Sequence, residues 1–379
     1  MITRRRFAAA TPLLLGGGTS AVVGCAPGPD AETYEAVAKQ TWRIGRLERA
    51  DAAGLGRLER ADAAGLGREL VRCATLAPSS HNTQCWTFRL ADQAVTIGPD
   101  LSRRCPAVDP DDHHVFVSLG CATENLAHAA LAHGLRAEAR FDAALDRVRV
   151  ALAPAPAEAT PLYQAIAARQ CTRADYDGRP LTPAELGQLE RAGSSGAVRL
   201  LLLTERNAIE QVLGYVVQGN SAQMADPAFV RELKHWIRFN GADAVRRRDG
   251  LFSAASGNPS IPGWLGDLAF GWVFTAAGEN DKYARQIRSS AGLAVFVGAA
   301  ADKAHWVEVG RCYERFALQA TALGIRNAFV NQPVEVAALR PPFAAALGLA
   351  GQRPDLVVRF GRGPTLPASL RRPVDAVLA

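Results

Sequence analysis

Residues 117–136 (VSLGCATENLAHAALAHGLR) and 307–326 (VEVGRCYERFALQATALGIR) carry apolar and small side chains at spacings of three and four. That spacing marks one face of a helix, and small residues on the face let a second helix come close. The two segments align without gaps at an offset of 190, with Gly120 on Gly310, Glu124 on Glu314, Ala130 on Ala320, Gly134 on Gly324 and Arg136 on Arg326. They are expected to be equivalent helices that pack together about a pseudo-twofold axis, each ending at a glycine suited to a C-terminal cap. Strand-like runs follow both, at 137–141 and 327–330, and others lie at 86–90, 94–97, 198–203, 293–297 and 356–360. Helical patterns at 69–76 and 183–192 precede the first strand of each group. The predicted class is α+β, with two pseudo-symmetric halves fused in one chain as a homodimer mimic, hence a monomer. The first half is assigned to residues 69–157 and the second to 158–379. An insertion at 218–290 interrupts the second half, and its Ser-, Gly-, Pro- and Asn-rich residues 253–266 read as a mobile cover.

Composition narrows the classes. A chain of 379 residues with 48% hydrophobic content buries a large core, which excludes disorder and a disulfide-stapled miniprotein. The formal charge is +6, and Arg4, Arg5 and Arg6 account for three of it, leaving +3 for the remainder. That is too little to argue for a nucleic-acid partner. Lys234, Trp236, Arg238, Phe239 and the arginines at 246–248 are read as part of the insertion rather than as a nucleic-acid patch. Residues 1–25 read as an address: Thr3, Arg4, Arg5, Arg6 and Phe7 look like a twin-arginine export signal, and the VVGC at 22–25 is similar to a lipobox. The expectation is an exported protein, periplasmic or lipid-anchored, that touches the membrane only through a lipid on Cys25; an unprocessed signal would leave it cytoplasmic. Residues 26–68 form an extension in which 45–55 recur letter for letter as 56–66, with no function assigned. No later stretch has the apolar length of a membrane helix, so the mature chain is expected to be soluble. The six cysteines after Cys25 show no C-x-x-C spacing, so no structural zinc site is expected, and buried free thiols are the default.

Chemistry concentrates in residues 73–88, CATLAPSSHNTQCWTF. A helix is expected to end near Leu76, Pro78 enforces the break, and Ser79, Ser80, Asn82 and Gln84 present hydroxyl and amide groups before a strand starts at Trp86. Such a turn suits a polar heteroaromatic ligand that carries a phosphate, while each residue alone reads as a capping group. At 169–173 (RQCTR) two guanidiniums, Arg169 and Arg173, flank small polar residues in an extended segment and can take up a dianion together. The acids and histidines Asp109, Asp111, Asp112, His113 and His114 have metal-ligand types, but acids before a long helix also cap its free amides. Capping is the preferred reading, and no metal ligand is assigned.

The string at 73–88 resembles the A-P-S-S-x-N-x-Q-P-W motif of the nitroreductase family of flavin proteins, with Cys85 in place of the proline. Residues 169–173 are similar to that family's R-x-S-x-R, with Cys171 for the serine. The tail, with RFGRG at 359–363 followed by Arg371, Arg372 and Pro373, resembles the family's closing strand and its late phosphate-binding arginine. Arg371 is the preferred match, with Arg359 and Arg362 as rivals. Together with residues 100–114 and the NQPVE at 331–335, the fused pattern is similar to the Acg-like branch, over roughly residues 32–379. The resemblance implies bound FMN held by Pro78, Ser79, Ser80, Asn82, Gln84, Arg169, Cys171, Arg173, Asn331 and Arg371. One site forms between the halves. A mirror-related site would use residues 39–43 with 193–197, whose turn lacks Asn and Gln, and is expected to be empty. The implied activity passes electrons from NADH or NADPH through the flavin to a nitroaromatic or quinone-like acceptor, with no acid, base or nucleophile required from the chain. The rival is a flavin-binding or flavin-sequestering protein whose lid prevents nicotinamide turnover. A lipid-anchored structural partner without cofactor is disfavoured by the intact turn and arginines.

Overall fold

The computed structural model describes residues 33–44 and 60–379. The export signal with Cys25 and most of the eleven-residue repeat lie outside these residues. After α1 (Tyr34–Thr41), the first half runs α2 (Arg60–Thr75), β1 (Trp86–Ala91), β2 (Ala94–Pro99), α3 (His113–Ala132), β3 (Leu135–Asp142) and β4 (Arg147–Pro154). The second half follows α4 (Pro161–Ala165) with α5 (Pro183–Gly193) and β5 (Val198–Leu203). A long connection then carries α6 (Arg206–Ala225), α7 (Pro227–Trp236), β6 (Ile237–Arg238), α8 (Gly241–Arg247), β7 (Leu251–Phe252), α9 (Gly263–Val273) and α10 (Ala276–Arg288). The chain returns through β8 (Gly292–Gly298), α11 (Lys303–Ala322), β9 (Arg326–Phe329), α12 (Gln332–Glu335), α13 (Arg340–Ala346) and β10 (Pro354–Gly361).

The two main sheets share one topology. Their strand orders are β1-β2-β4-β3 and β5-β8-β10-β9, antiparallel throughout, so β1, β2, β3 and β4 correspond to β5, β8, β9 and β10. The helix between the second and third strands is α3 in one half and α11 in the other. Both start four residues before the segments read from sequence, at His113 and Lys303. The cause is local: Asp109 Oδ2 accepts from the His114 and Val115 amides, and the Asp302 side chain accepts from the His305 amide. Both end two residues before glycines in the left-handed region, Gly134 at φ 79° and Gly324 at φ 70°. At their crossing a Cβ on Gly120 would lie 1.9 Å from the Val307 carbonyl oxygen, and one on Gly310 would lie 1.9 Å from that of Val117. The expected close packing of equivalent faces is therefore a contact of bare backbone.

The halves differ outside this frame. β3 and β4 alternate exposed and covered positions, as a sheet with one wet face requires, and β4 is a strand that the sequence reading passes over. β8 and β10 are buried almost throughout, because Ile209, Val212, Leu213 and Val216 of α6 cover their second face. The insertion is longer than expected: it fills residues 204–291, where the first half has the two-residue turn Asp92 and Gln93. Arg238 is 3% exposed and paired with Asp249, so it is withdrawn from the insertion's surface. The C-terminal tail crosses to the first half, where Ala379 and Val377 bond to both sides of Phe88 in β1.

Candidate functional site

After α2, the chain makes a tight turn in which His81, Asn82 and Gln84 adopt φ of 47°, 53° and 55°. Left-handed backbone is costly for residues with a Cβ and persists where the surroundings hold it. Here the hold comes from the second half. Asn82 Nδ2 donates to the carbonyls of Gly250 (3.0 Å) and Leu370 (3.1 Å). Gln84 Nε2 donates to the Arg248 carbonyl (2.9 Å), its Oε1 accepts from the Arg372 amide (2.7 Å), and Ser79 Oγ accepts from the Gln84 amide (2.9 Å). Gln84 is thus fully buried and used by the protein, and it borders no cavity described here, contrary to its expected place at a ligand. Asn82 borders the smaller cavity and keeps a buried Oδ1 with no partner.

The turn faces a cavity of about 200 Å³ and an adjoining recess of about 70 Å³. Pro78, Ser79, His81, Arg173, Leu251 and Phe329 border both, so the two are parts of one site between the halves. Ser80 and Asn331 border the larger part, and Arg169, Cys171 and Arg371 the recess. Nine of the ten residues singled out in the sequence are brought together here, and Gln84 is not. The Asn331 Oδ1 accepts from the Val357 amide at 2.9 Å. Cys171 is half-buried, and its segment runs beside β9 through the bond from the Thr172 amide to the Asn327 carbonyl.

The arginines differ in what they have left to offer. Arg169 Nη2 donates to the Leu76 carbonyl (2.7 Å), and its Nε lies 3.1 Å from the buried Glu314 carboxylate. Arg371 places all five donors on the carbonyls of Thr75, Leu76, Ala77, Ser369 and Leu370. Its side chain thereby ties the tail to the end of α2, which corrects the expectation that it grips a ligand phosphate directly. Burial, with Arg169 beside it, pushes its pKa down to about 9. Arg173 has no carboxylate and no side-chain hydrogen bond among the described residues, and it faces both parts of the site. Among the described residues, Glu314 is the one carboxylate in ion-pair contact with any of the three, so the recess carries unmatched positive charge that suits a dianion. The rivals lie elsewhere. Arg359 is fully buried over the Tyr176 ring (4.1 Å) and bonds to carbonyls, and Arg362 pairs with Glu185.

The segment named for a mirror-related site lies instead at the recess. Residues 39–43 do not meet 193–197: the Trp42 ring lies 4.8 Å from the Arg371 guanidinium at the recess, and its Nε1 donates to the Ser369 carbonyl (2.8 Å). The reason is packing, since Val37 of α1 sits in a cluster with Phe252, Ala255 and Leu370. Trp42 is one of several site residues that no motif announced. His81 occupies the variable position inside the 79–84 string, and burial beside Arg173 pushes its pKa down to about 4, so it is neutral. The insertion supplies the roof, including Phe229, Leu233, Phe274, Tyr283 and Lys282, whose Nζ donates to Asn258 Oδ1 (2.8 Å). Asp109, His113 and His114 bring ligand-type atoms within 4.8 Å of one another. Of the acids read as caps, Asp109 accepts amides of α3, whereas Asp111 pairs with Arg340 and Arg353 and Asp112 with Arg104; His113 Nε2 lies 3.0 Å from Asp355.

No family model matches the chain. It is similar to a Mycobacterium tuberculosis (strain H37Rv) protein named as an NAD(P)H nitroreductase, with 26% identity over 327 residues, covering 82% of this chain and 90% of that protein. A second protein from the same strain, named as the NAD(P)H nitroreductase acg, is 24% identical over 322 residues, covering 82% and 94%. Among solved structures, an FMN-dependent nitroreductase from Mycobacterium smegmatis in complex with NADPH overlaps 57% of this chain and 91% of its own, at 14% identity and a TM-score of 0.37.

Proposed function

We propose that the chain is an FMN-dependent oxidoreductase of the nitroreductase family, with its two subunit-like halves fused as in the Acg-like branch. It takes electrons from NADH or NADPH and passes them to a nitroaromatic or quinone-like acceptor. The observation that carries this reading is the unpartnered Arg173 in a recess of three guanidiniums, opening into a larger cavity bordered by Pro78, Ser79 and Phe329. The relatives named as NAD(P)H nitroreductases, which align over 82% of the chain, support it. Arg173 would hold the phosphate, and the charges of Arg169 and Arg371 would favour it from behind. The segment from Pro78 to His81, with Asn331, would border the ring. When bound, FMN supplies the hydride and electron transfer, while the chain binds, orients and shields it.

The roof favours a second reading, in which the protein sequesters flavin and does not turn over nicotinamide. Purified protein with a flavin absorption spectrum, bleached on anaerobic mixing with NADH or NADPH, supports the enzyme. A yellow protein that neither donor bleaches supports sequestration. A colourless protein that takes up no added FMN refutes both.

A further inference from the structure

The larger cavity ends at a wall built from three helices: His114 in the first turn of α3, Gln223 near the end of α6, and Gln332 and Glu335 of α12. Glu335 Oε2 accepts from Gln223 Nε2 at 2.7 Å, and its Oε1 lies 3.9 Å from His114 Nδ1. Among the described residues no Lys or Arg comes within ion-pair distance of this carboxyl. His114 is 6% exposed, and its Nε2 is buried with no hydrogen-bond partner. Gln332 Oε1 is likewise buried and unpartnered. These open acceptors and donors beside a carboxyl that lacks a cation make the wall suited to a ligand's polar edge.

We propose that Glu335, backed by His114, is the proton donor to an oxygen of the acceptor bound in this cavity. The inference rests on the flavin reading for its electrons and defines the acceptor as one protonated at oxygen as it is reduced. For a quinone the balance is simple. The acceptor gains a hydride from the two-electron reductant, which is oxidised, and one proton from Glu335. The Glu335 O–H bond breaks, a new O–H forms on the acceptor, and the carboxylate regains a proton from solvent once the product leaves the cavity. The quinone leaves as a hydroquinone, and Glu335 undergoes no redox change.

The charge environment agrees. Burial raises the Glu335 pKa to about 7, with Asp109 adding to the rise and Gln223, Arg173 and Arg340 opposing it. Tyr283 of α10 also faces it and is uncharged at neutral pH, with its own pKa raised to about 12. Burial drives His114 well below its ordinary value, so it is neutral and leaves the Glu335 proton in place. A carboxylic acid held at neutral pH is suited to such a transfer.

The test has one readout that needs no flavin. Infrared difference spectra of the parent between pH 5 and pH 9 should show, beside the signals of Asp109 and Glu314, which burial also raises to about 7, a carboxylic-acid C=O component of Glu335 that disappears with a midpoint near 7. Glu335→Gln should lose it, and Gln223→Leu, which removes a bond favouring the charged form, should move its midpoint upward. In the second readout, protein reduced with dithionite is mixed anaerobically with p-benzoquinone. The parent's reoxidation rate should fall as pH rises through about 7, and Glu335→Gln should be at least tenfold slower and lose that dependence. Absence of a titrating component that Glu335→Gln removes, or reoxidation of Glu335→Gln within twofold of the parent with the same pH profile, overturns the proposal. Failure of the flavin reading is distinguishable, because the parent itself is then colourless.

Discussion

The helix crossing between the halves permits a quantitative test. Alanine at Gly120 puts a methyl group 1.9 Å from the Val307 carbonyl oxygen, whereas Cβ atoms essentially never come nearer than 3.0 Å, so α3 and α11 must part by at least about 1.1 Å. The obstacle is backbone, and no rotamer change relieves it. A gap of this size forfeits roughly a quarter to a half of the dispersion energy of the atoms that line it, and overpacking of a core costs about 1–3 kcal/mol or more. The better helix propensity of alanine returns at most about 1 kcal/mol. The expected net loss is about 1–2 kcal/mol or more for Gly120→Ala, and the same for Gly310→Ala by symmetry. Once the helices have parted for one methyl group, the second enters the same gap. The double variant should therefore fall short of the sum by about 1 kcal/mol or more. Urea denaturation followed by tryptophan fluorescence measures this as a lower midpoint at constant slope. Gly214→Ala, inside α6 with nothing within 4 Å of the added carbon, is the control and should gain up to about 1 kcal/mol. A Gly120→Ala variant within about 0.5 kcal/mol of the parent would refute the close-contact argument.

Other perturbations separate holding the ligand from holding the fold. Arg173→Ala should lower the flavin-to-protein absorbance ratio at least fivefold, while Ser194→Ala, at the half-buried end of α5, should leave it unchanged; equal retention in both refutes the placement of the site. Arg371→Lys keeps the charge but loses most of five bonds to buried carbonyls, so the chain should lose about 2–4 kcal/mol in urea denaturation; an unchanged midpoint would show that only its charge matters. Glu124 joins α3 to Arg311 and Arg315 of α11, and despite burial these partners and His128 depress its pKa from 4.5 to about 2. A depressed carboxyl stabilises the fold above its unfolded value and stops doing so as pH falls toward 2. Glu124→Gln should thus cost about 3 kcal/mol at pH 7, and the cost should shrink between pH 4.5 and pH 2; a pH-independent difference in denaturation midpoint contradicts it.

The symmetric frame was legible because its determinants are local and repeated. Small residues at spacings of three and four, and a glycine after each helix, marked α3 and α11, and the offset of 190 holds from His113 on Lys303 to Ala132 on Ala322. The identity of the site-forming turn and the recess arginines was also legible, but not the partners of each donor. An amide or guanidinium serves a ligand phosphate and a protein carbonyl equally well. Gln84 and Arg371 therefore read as ligand contacts when they hold the chain to itself. That Trp42 joins this recess, and which side chains of the insertion roof the cavity, could not be read for another reason. Their place depends on contacts between distant segments, such as Val37 with Leu370, that leave no periodic mark in the sequence.

The same connection explains why the halves, built alike, offer unlike surroundings. Between β5 and β8 it supplies α6 and α10, which cover the outer face of the second sheet through Ile209, Val212, Leu213 and Ile287 against Leu293, Val295 and Val297. It also supplies Phe229, Phe274 and Tyr283 above the cavity. The corresponding place in the first half is the turn at Asp92 and Gln93, which is too short to cover anything, and the outer face of that sheet stays exposed. Covering a sheet face and roofing a cavity are thus two consequences of one insertion. The continuous apolar run of β8, beside the alternating β3 and β4, records in the sequence which half carries the insertion.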